Sequence, residues 1–227
     1  MRLSIIIPAL NEATSIGATL ASLQAMRARG VEVVVVDGGS EDATVAIASP
    51  LADRIVVSAC GRARQMNAGA AGADADVLLF LHADSVLPPD ADRLILDALI
   101  ASPRVWGRFD VKIRGSHRLL PIIASMMNFR SRLSGIATGD QGLFIRRETF
   151  QTLGGFADIP LMEDVAICTR LRKISAPICL KQRITTSGRR WEKHGVWRTI
   201  LLMWCLRLAY FFGANPFALH GRYYRKS

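Results

Sequence analysis

The chain has 227 residues, of which 50% are hydrophobic and 21% are charged, and this balance excludes an intrinsically disordered protein. Its 29 lysines and arginines against 19 acidic residues give a net charge of +10. Residues 1–100 carry 7 basic and 12 acidic side chains, whereas residues 101–227 carry 22 basic and 7 acidic ones. This asymmetry indicates two roles, with a basic part that meets phosphates, an anionic membrane or nucleic acid.

The first part of the chain alternates between predicted strands and helices. Apolar runs predict four strands, at Leu3–Ile7, Val31–Val36, Arg54–Ser58 and Val77–Leu81. The intervening segments are helical in composition, at Asn11–Ala28, shortly after Asp42 and at Arg62–Ala71. Because strands that are apolar on both faces alternate with helices, the pattern predicts an α/β fold with a Rossmann-like, mostly parallel sheet flanked by helices.

The second part is less regular. It contains helix candidates at Asp90–Ala101, Leu119–Leu133 and Met162–Lys173, and strand candidates at Trp106–Ile113, Gly142–Arg146 and Pro177–Thr186. No linker, repeat or low-complexity tract separates these elements. We therefore expect one domain over residues 1–194, with halves 1–100 and 101–194, followed by a hydrophobic and basic end at 195–227.

The hydrophobic end has two interpretations. Gly195–Phe212 is apolar on nearly every side of a helix, but a spanning helix needs about 20 apolar residues and Arg207 would lie inside the span. The helix either lies at the surface of an anionic membrane, with its arginines reaching the headgroups, or packs in the core or in a dimer interface. The sequence gives the two nearly equal weight.

The cysteines and the N-terminus bear on the cellular compartment. The four cysteines are Cys60, Cys168, Cys179 and Cys205. They form no CxxC pair and no zinc-ligand spacing, so we expect them to be reduced and mostly buried. The apolar run Met1–Ile7 stops at Pro8 and is too short for a signal peptide. Both features favour a cytoplasmic protein.

Polar residues follow three of the predicted strands. The three segments are Pro8–Glu12, Asp37–Asp42 and His82–Ser85. Because parallel sheets bind ligands beyond the carboxyl ends of their strands, we expect these segments to meet at one edge. Turn and cap chemistry accounts for most of what is seen at four of these positions, which are Gly38, Gly39, Ser40 and Asp42. It accounts less well for Asp37 and Asp84, which come directly after buried strands.

The motifs form an ordered series. They are Ser4–Glu12, Val36–Thr44, Gly61–Gly69, Leu81–Ser85, Gly139–Gly142 and Met162–Val165, followed by Arg170 and Leu171. No GxGxxG follows the first strand, which argues against a dinucleotide enzyme. The series resembles the family 2 glycosyltransferases, which have the GT-A fold, over about residues 2–190. Within that family it is most similar to the bacterial radical-SAM/selenodomain-associated subgroup, through its Leu81–Ser85 and Arg189–Gly195 segments.

The resemblance implies a nucleotide site in residues 1–100 and an acceptor site in 101–194. The implied nucleotide-binding residues are Pro8, Ala9, Asn11, Glu12, Asp37, Arg64 and Asn67. The chain departs from the family pattern at Gly38, which replaces a second acidic residue. It departs again at His82, which replaces the first acid of the Asp-x-Asp metal motif and leaves Asp84 as the implied metal ligand.

The resemblance also implies the catalytic groups. Glu163 and Asp164 match the family's acidic pair, with Asp164 as the catalytic base. Further candidates for phosphate or acceptor contacts are His82, Asp140, Arg189, Arg190 and Trp191. For His82 a turn or supporting role is favoured over ligation, and for Trp191 packing in the core is favoured. The motif of polymer-forming members is half present, which weakens any prediction of polymer synthesis.

The resemblance implies an inverting glycosyltransferase that depends on Mn²⁺ or Mg²⁺ and uses a nucleotide-diphosphate sugar as donor. A carboxylate, phosphates and water suit such cations, and the acceptor hydroxyl needs a base. A lipid phosphate is the attractive acceptor if the terminal helix meets the inner face of the membrane. The rivals are a nucleotidyltransferase, which has no need of the Glu163–Asp164 pair, and a nucleic-acid-binding module. The latter is disfavoured because no aromatic stacking platform occurs, so we expect no nucleic-acid partner.

Overall fold

The computed structural model describes residues 1–225, without the side chains at 194, 222, 224 and 225, so the last two residues of the predicted 195–227 end lie outside the described residues. The strands are β1 (Leu3–Ala9), β2 (Glu32–Asp37), β3 (Arg54–Val57), β4 (Val77–Phe80), β5 (Ser85–Val86), β6 (Trp106–Arg114), β7 (Leu143–Arg146) and β8 (Ile178–Ser187). The helices are α1 (Ile16–Arg27), α2 (Thr44–Ala48), α3 (Arg62–Ala71), α4 (Ala91–Ile100), α5 (Leu120–Ser134), α6 (Arg147–Thr152), α7 (Glu163–Leu171), α8 (Arg189–His194), α9 (Val196–Phe211) and α10 (Pro216–Arg225).

The described strands form one sheet in the order β3-β2-β1-β4-β7-β6-β8-β5. The first four are parallel to one another, as the β-branched runs predict. β7 runs antiparallel to β4 and to β6, while β8 is parallel to β6. The carboxyl ends of β1, β2 and β4 therefore lie at one edge of the sheet, and the polar segments that follow them are neighbours.

Both faces of the parallel part are buried. Successive residues of β1 point to opposite faces, so Ile5 belongs to the core under α1 while Ile6 belongs to the core under α3. Gly69 of α3 lets that helix approach closely, since a Cβ there would lie 2.5 Å from Cγ2 of Ile6. Burial on both faces explains why these strands read as continuous apolar runs.

The second part packs α5 against β6. The Asn128 side chain accepts a hydrogen bond from the Val111 N–H at 2.8 Å and donates one to the Val111 carbonyl at 3.0 Å. Arg108 is 1% exposed and forms an ion pair with Asp110, which also pairs with Arg132. These contacts satisfy most of the polar groups that are buried between helix and sheet, although Arg108 Nε has no hydrogen-bond partner among the described residues.

The C-terminal helix α9 packs on the body of the protein along one side. Its buried residues are Val196, Thr199 and Leu206. Leu206 lies against Met162, immediately before α7. Within the described chain, no helix combines the length and the apolar character needed to cross a membrane.

Several sequence expectations need correction. The first helix begins at Ile16 and not at Asn11, because Asn11 has φ 53° and the segment before Ser15 forms turns. The patterns did not predict β5, α6, α8 or α10. The expectation that the cysteines are mostly buried was wrong, since Cys60 and Cys205 are exposed; Cys168 is buried.

Candidate active site

The loop that follows β2 is held together by the side chain of Asp37, the last residue of the strand. The Asp37 carboxylate is 4% exposed and accepts hydrogen bonds from the N–H groups of Gly39 and Ser40 at 3.0 and 3.1 Å. A Cβ on Gly38 would lie 2.9 Å from the Gln65 amide, which donates to the Ala9 carbonyl at 2.8 Å and the Val36 carbonyl at 2.9 Å. The buried Gln65 therefore explains why glycine stands where the family has a second acid.

The β1 end is tied to the β2 loop. Pro8 and Ala9 pair with β2, and Ala9 is buried. The Asn11 N–H donates to Ser40 Oγ at 2.9 Å, and Asn11 Oδ1 accepts the Glu41 N–H at 2.9 Å. The left-handed backbone of Asn11 makes this arrangement possible, and asparagine tolerates that conformation better than most residues. The two loops form one continuous rim.

Arg189 closes this rim from the far end of the chain. Its guanidinium lies 3.2 Å from the Glu12 carboxylate, 3.9 Å from the Asp84 carboxylate and 2.9 Å from Thr14 Oγ1. Ser187–Gly188, at the end of β8, leads directly into α8 and carries Arg189 to this position. The predicted residues Glu12, Asp84 and Arg189 are therefore brought together.

Asp84 is a half-buried carboxylate with no hydrogen bond among the described residues, and its side chain is 25% exposed. Desolvation raises the pKa of Asp84, and the charges of Asp140 and Glu12 act in the same direction, against the opposing charges of His82 and Arg189. A carboxylate in such an electronegative surrounding suits a cation. Asp84 therefore fits the role of a metal ligand.

His82 and Asp140 form a pair beside Asp84. His82 Nδ1 lies 3.2 Å from Asp140 Oδ1, while its Nε2 is buried without a hydrogen-bond partner. Desolvation opposes ionisation of Asp140, but the hydrogen bond from His82 and the nearby positive charges outweigh it and lower the pKa of Asp140. A Cβ on Gly139 would lie 2.2 Å from His82 Nε2. The imidazole is thus packed against the turn that carries its partner.

The Glu163–Asp164 pair begins α7, directly after Met162 with its left-handed φ of 70°. Asp164 Oδ2 accepts the Gly139 N–H at 3.1 Å, and its Oδ1 accepts the Val165 N–H at 2.7 Å. Glu163 is 5% exposed. Burial, then the charge of Asp164, raises the pKa of Glu163, although Arg62 lies 3.5 Å away.

One 3₁₀ turn, Gly139–Gln141, links these groups, because it donates to Asp164 and carries Asp140. The turn is anchored to α5 through Gln141, whose side chain donates to Ser131 Oγ at 3.0 Å. A cavity of about 20 Å³ lies between the turn, His82 and the Glu163–Asp164 pair. The candidate metal ligand and the candidate base therefore share one set of neighbours.

Four predicted residues have other partners in the structure. Arg64 lies 2.8 Å from Asp158, and the Asn67 side chain exchanges two hydrogen bonds with the Phe156 backbone. Arg190 lies over the Tyr223 ring at 3.8 Å. Trp191 packs with α5 and β6 in a hydrophobic cluster. These contacts hold the scaffold together, and nucleotide or acceptor contacts by these residues stay predictions.

The motif analysis missed three residues of the site. They are Arg62, Gln65 and Gly139. Arg62 and Gln65 lie in the same motif segment as Arg64 and Asn67, but neither the contact of Arg62 with Glu163 nor the burial of Gln65 has a distinct sequence signal there. In the described residues, no three or more His, Cys, Asp or Glu side chains are grouped so as to hold a metal ion.

A family model described as Glycosyl transferase family 2 matches residues 4–153. The chain belongs to this family. It is 29% identical over 189 residues to the uncharacterized glycosyltransferases MT1564 and Rv1514c of two Mycobacterium tuberculosis strains, CDC 1551 and H37Rv. The match covers 78% of this chain and 71% of each relative.

Solved structures are similar in fold. Staphylococcus aureus TarS 1-349 in complex with UDP superposes with a TM-score of 0.66 at 19% identity, covering 82% of this chain and 60% of that one. The mannosyltransferase PcManGT of Pyrobaculum calidifontis, in complex with GDP-Man and Mn²⁺, gives 0.61 at 21% identity, covering 81% and 56%. The chain thus spans less than two thirds of both. The predicted GT-A fold and family 2 membership are confirmed, and the chain is a transferase enzyme. Its subgroup stays a prediction.

Proposed function

We propose that this glycosyltransferase moves a sugar from a nucleotide-diphosphate donor to an acceptor hydroxyl with inversion at the anomeric carbon. The observation that carries the proposal is that Asp84 lies beside the His82–Asp140 pair while Asp164 accepts a hydrogen bond from the turn that carries Asp140. It supports a site in which the diphosphate and the acceptor hydroxyl are held on adjacent groups. The nucleotide complexes of TarS and PcManGT are consistent with such a donor.

The rim formed by the β1 and β2 loops is the proposed nucleotide site. Asn11, Glu12 and Asp37 are fixed there by backbone hydrogen bonds and by the contact to Arg189. Such rigidity before binding lowers the entropy that the donor complex must lose. Arg189, half-exposed beside two carboxylates, would exchange them for donor phosphates.

Asp84 is the proposed protein ligand of a Mn²⁺ or Mg²⁺ ion that, when bound, neutralises the leaving diphosphate. His82 Nδ1 lies 3.2 Å from the Asp140 carboxylate and orients it. Asp140 and Glu12 supply negative charge next to Asp84. The donor diphosphate and water complete the oxygen ligands that such cations prefer. PcManGT, whose structure contains Mn²⁺ and GDP-Man, is consistent with this requirement.

Asp164 is the proposed general base. Both of its oxygens accept backbone N–H groups, which suits an ionised carboxylate at the start of a helix. As the acceptor oxygen bonds to the anomeric carbon, the bond from that carbon to the diphosphate breaks and the acceptor proton passes to Asp164. Glu163, the other acid of the pair, lies 3.5 Å from Arg62. This ion pair occupies Glu163 and leaves Asp164 as the base.

A panel of sugar nucleotides with Mn²⁺ tests the proposal. We expect one donor class to release nucleoside diphosphate, slowly by transfer to water and faster with an acceptor, and NMR of the released sugar to show the inverted anomer. Release of pyrophosphate from nucleoside triphosphate and sugar phosphate would instead identify a nucleotidyltransferase. A retained configuration would refute Asp164 as the base of a direct displacement.

We also propose that a two-helix face attaches the protein peripherally to the inner, anionic surface of the membrane. We define this face as Ile122, Met126, Phe129 and Leu133 of α5 with Trp197, Leu201, Trp204 and Leu208 of α9, which are 54–80% exposed. Each set repeats with the spacing of one helix side. The inner sides of both helices meet in one cluster, so the outer sides are neighbours.

Charge favours a bilayer as the occupant of this face. Neither helix contains an acidic residue, and each carries one exposed arginine, Arg132 on α5 and Arg198 on α9. Apolar side chains between basic ones suit an anionic interface. A second copy of the same basic chain would bring like charges together.

Tryptophan fluorescence tests the attachment. Trp197 and Trp204 are 68% and 66% exposed, whereas Trp106 is fully buried. With phosphatidylglycerol vesicles we expect a blue shift that high salt weakens and that Trp197→Phe/Trp204→Phe abolishes. Leu208→Glu should release the protein. A shift that appears without vesicles as concentration rises, with a dimer in ultracentrifugation, would contradict the membrane proposal.

A further inference from the structure

Two arginines near Asp164 lack partners among the described residues. Arg130 of α5 has a buried Nη2 and Arg207 of α9 has a buried Nε, and neither atom has a hydrogen-bond partner. In the part of the chain that the structure describes, neither guanidinium forms a hydrogen bond or an ion pair. By contrast, the buried Arg108 pairs with Asp110, and the half-buried Arg27 lies 2.7 Å from Asp53. Leaving charged donors unsatisfied is costly.

The fold places both arginines beside the candidate base. Arg207 follows Leu206, which packs with Met162, the residue before the Glu163–Asp164 pair. Arg130 lies on the α5 turn whose Ser131 accepts the Gln141 side chain. The Gly139–Gln141 turn, which is bonded to α5 through Gln141, meets α7 at Asp164 through the Gly139 N–H. The two guanidinium groups therefore approach Asp164 from two different helices.

The charges at this point are unbalanced. Burial, then the neighbouring charge of Arg207, lowers the pKa of Arg130 to about 10, against the attraction of Asp164. Arg130 remains charged at neutral pH. The nearby acids are already engaged, because Asp164 accepts two N–H groups, Glu163 lies beside Arg62 and Asp140 pairs with His82. An anion between the guanidiniums would relieve their repulsion and satisfy their donors.

We propose that Arg130 and Arg207 bind a phosphate group of the acceptor and thereby hold the acceptor hydroxyl at Asp164. This inference rests on the proposed function, because it names the substrate class for the same site. Guanidinium groups bind phosphate through paired, charge-assisted hydrogen bonds. The phosphate can belong to a soluble phosphate ester or to a phospholipid headgroup, since α5 and α9 also form the two-helix face.

Calorimetry with inorganic phosphate and with glycerol 1-phosphate tests the site directly. We expect saturable binding at low salt that weakens by about tenfold or more in Arg130→Gln and in Arg207→Gln. Arg118→Gln, an exposed arginine before α5, removes the same charge and should leave binding unchanged. Equal affinities in all three variants, or no binding to the wild type, would overturn the proposal.

Stability separates binding from a merely structural role. If the arginines repel each other, Arg207→Gln should melt at or above the wild-type temperature without phosphate, and phosphate should stabilise the wild type but not the variant. A large fall in Tm without phosphate would indicate a structural role and contradict the proposal. Arg207→Lys keeps the charge and should retain part of the binding.

Two further measurements identify the source of the phosphate and distinguish failure of this inference from failure of the proposed function. Tighter binding to phosphatidylglycerol than to phosphatidylcholine vesicles, lost in Arg130→Gln, would indicate a headgroup, whereas glycerol 1-phosphate binding alone would indicate a soluble ester. Donor cleavage by transfer to water is measured on the wild type, separately from its phosphate binding. Donor cleavage without phosphate binding would overturn this inference alone, and phosphate binding without any donor cleavage would overturn the proposed function.

Discussion

Gly139→Ala is expected to break the His82–Asp140 pair. The new Cβ would lie 2.2 Å from His82 Nε2, whereas ordinary contact begins at 3.4 Å, so the imidazole must withdraw by about 1.2 Å. The ring cannot move that far and keep Nδ1 at 3.2 Å from Asp140. The substitution therefore removes one charge-assisted hydrogen bond while both residues that form it, His82 and Asp140, stay unsubstituted.

The expected magnitude is modest. A hydrogen bond to a charged group contributes about 1.5–3 kcal/mol, but the Asp140 side chain is 40% exposed, and screening reduces the loss to about 1–2 kcal/mol. Replacing glycine by alanine restores about 0.4–1 kcal/mol through the unfolded chain. The net loss of about 1 kcal/mol should lower Tm by about 2–4 °C. Gly221→Ala, with nothing within 4 Å, should not lower it.

A double-mutant cycle identifies the cause. In a His82→Ala background the clash is absent, so Gly139→Ala should no longer lower the free energy of unfolding, and the coupling should lie near 1 kcal/mol, within the roughly 0.5–3 kcal/mol typical of contacting residues. Donor cleavage should fall in Gly139→Ala, because the Gly139 N–H also positions Asp164. Equal losses of stability in both backgrounds would refute the argument.

Three further outcomes follow from the site and the cysteines. Asp164→Asn should keep donor affinity and lower nucleotide release by about 10²–10⁴, and near-normal release would reduce Asp164 to a helix cap. Because the pKa of Asp84 is raised, its ionisation costs folding stability. Asp84→Asn should therefore raise Tm at neutral pH, and the gain should vanish as the pH falls below the ordinary value of 3.8, as melts at each pH will measure. Iodoacetamide should label Cys60 and Cys205 in mass spectra but not Cys168, since burial raises the pKa of that thiol to about 12.

The parallel half of the fold could be predicted because its residues carry the signal locally. The run Val33–Val36 of β2 is apolar and β-branched, and burial on both faces requires that composition. The strand-end acids follow from the same logic, since Asp37 and Asp84 come directly after such strands. The start of α1 could not be predicted, because Asn11 adopts its left-handed backbone to meet Ser40, a residue of another loop.

Other parts of the site depend on long-range packing. The buried Gln65 amide leaves no room for a Cβ at Gly38, and the His82 ring leaves none at Gly139. The Arg130–Arg207 pair comes from two helices that are distant in sequence, and each arginine alone looks like an ordinary surface charge. Their significance lies in the missing partners, which sequence patterns do not encode.

The most direct test of the account is calorimetric titration of a set of nucleoside diphosphates, with and without Mn²⁺. Asp74→Ala is the matched control for Asp84→Ala, because Asp74 is an exposed acid paired with Arg2 and away from the site. We predict that one nucleoside diphosphate binds in the presence of Mn²⁺, that Asp84→Ala abolishes this metal-dependent binding, and that Asp74→Ala leaves it unchanged. Metal-dependent binding of the same strength in Asp84→Ala, or no binding of any nucleoside diphosphate to the wild type, would contradict the account.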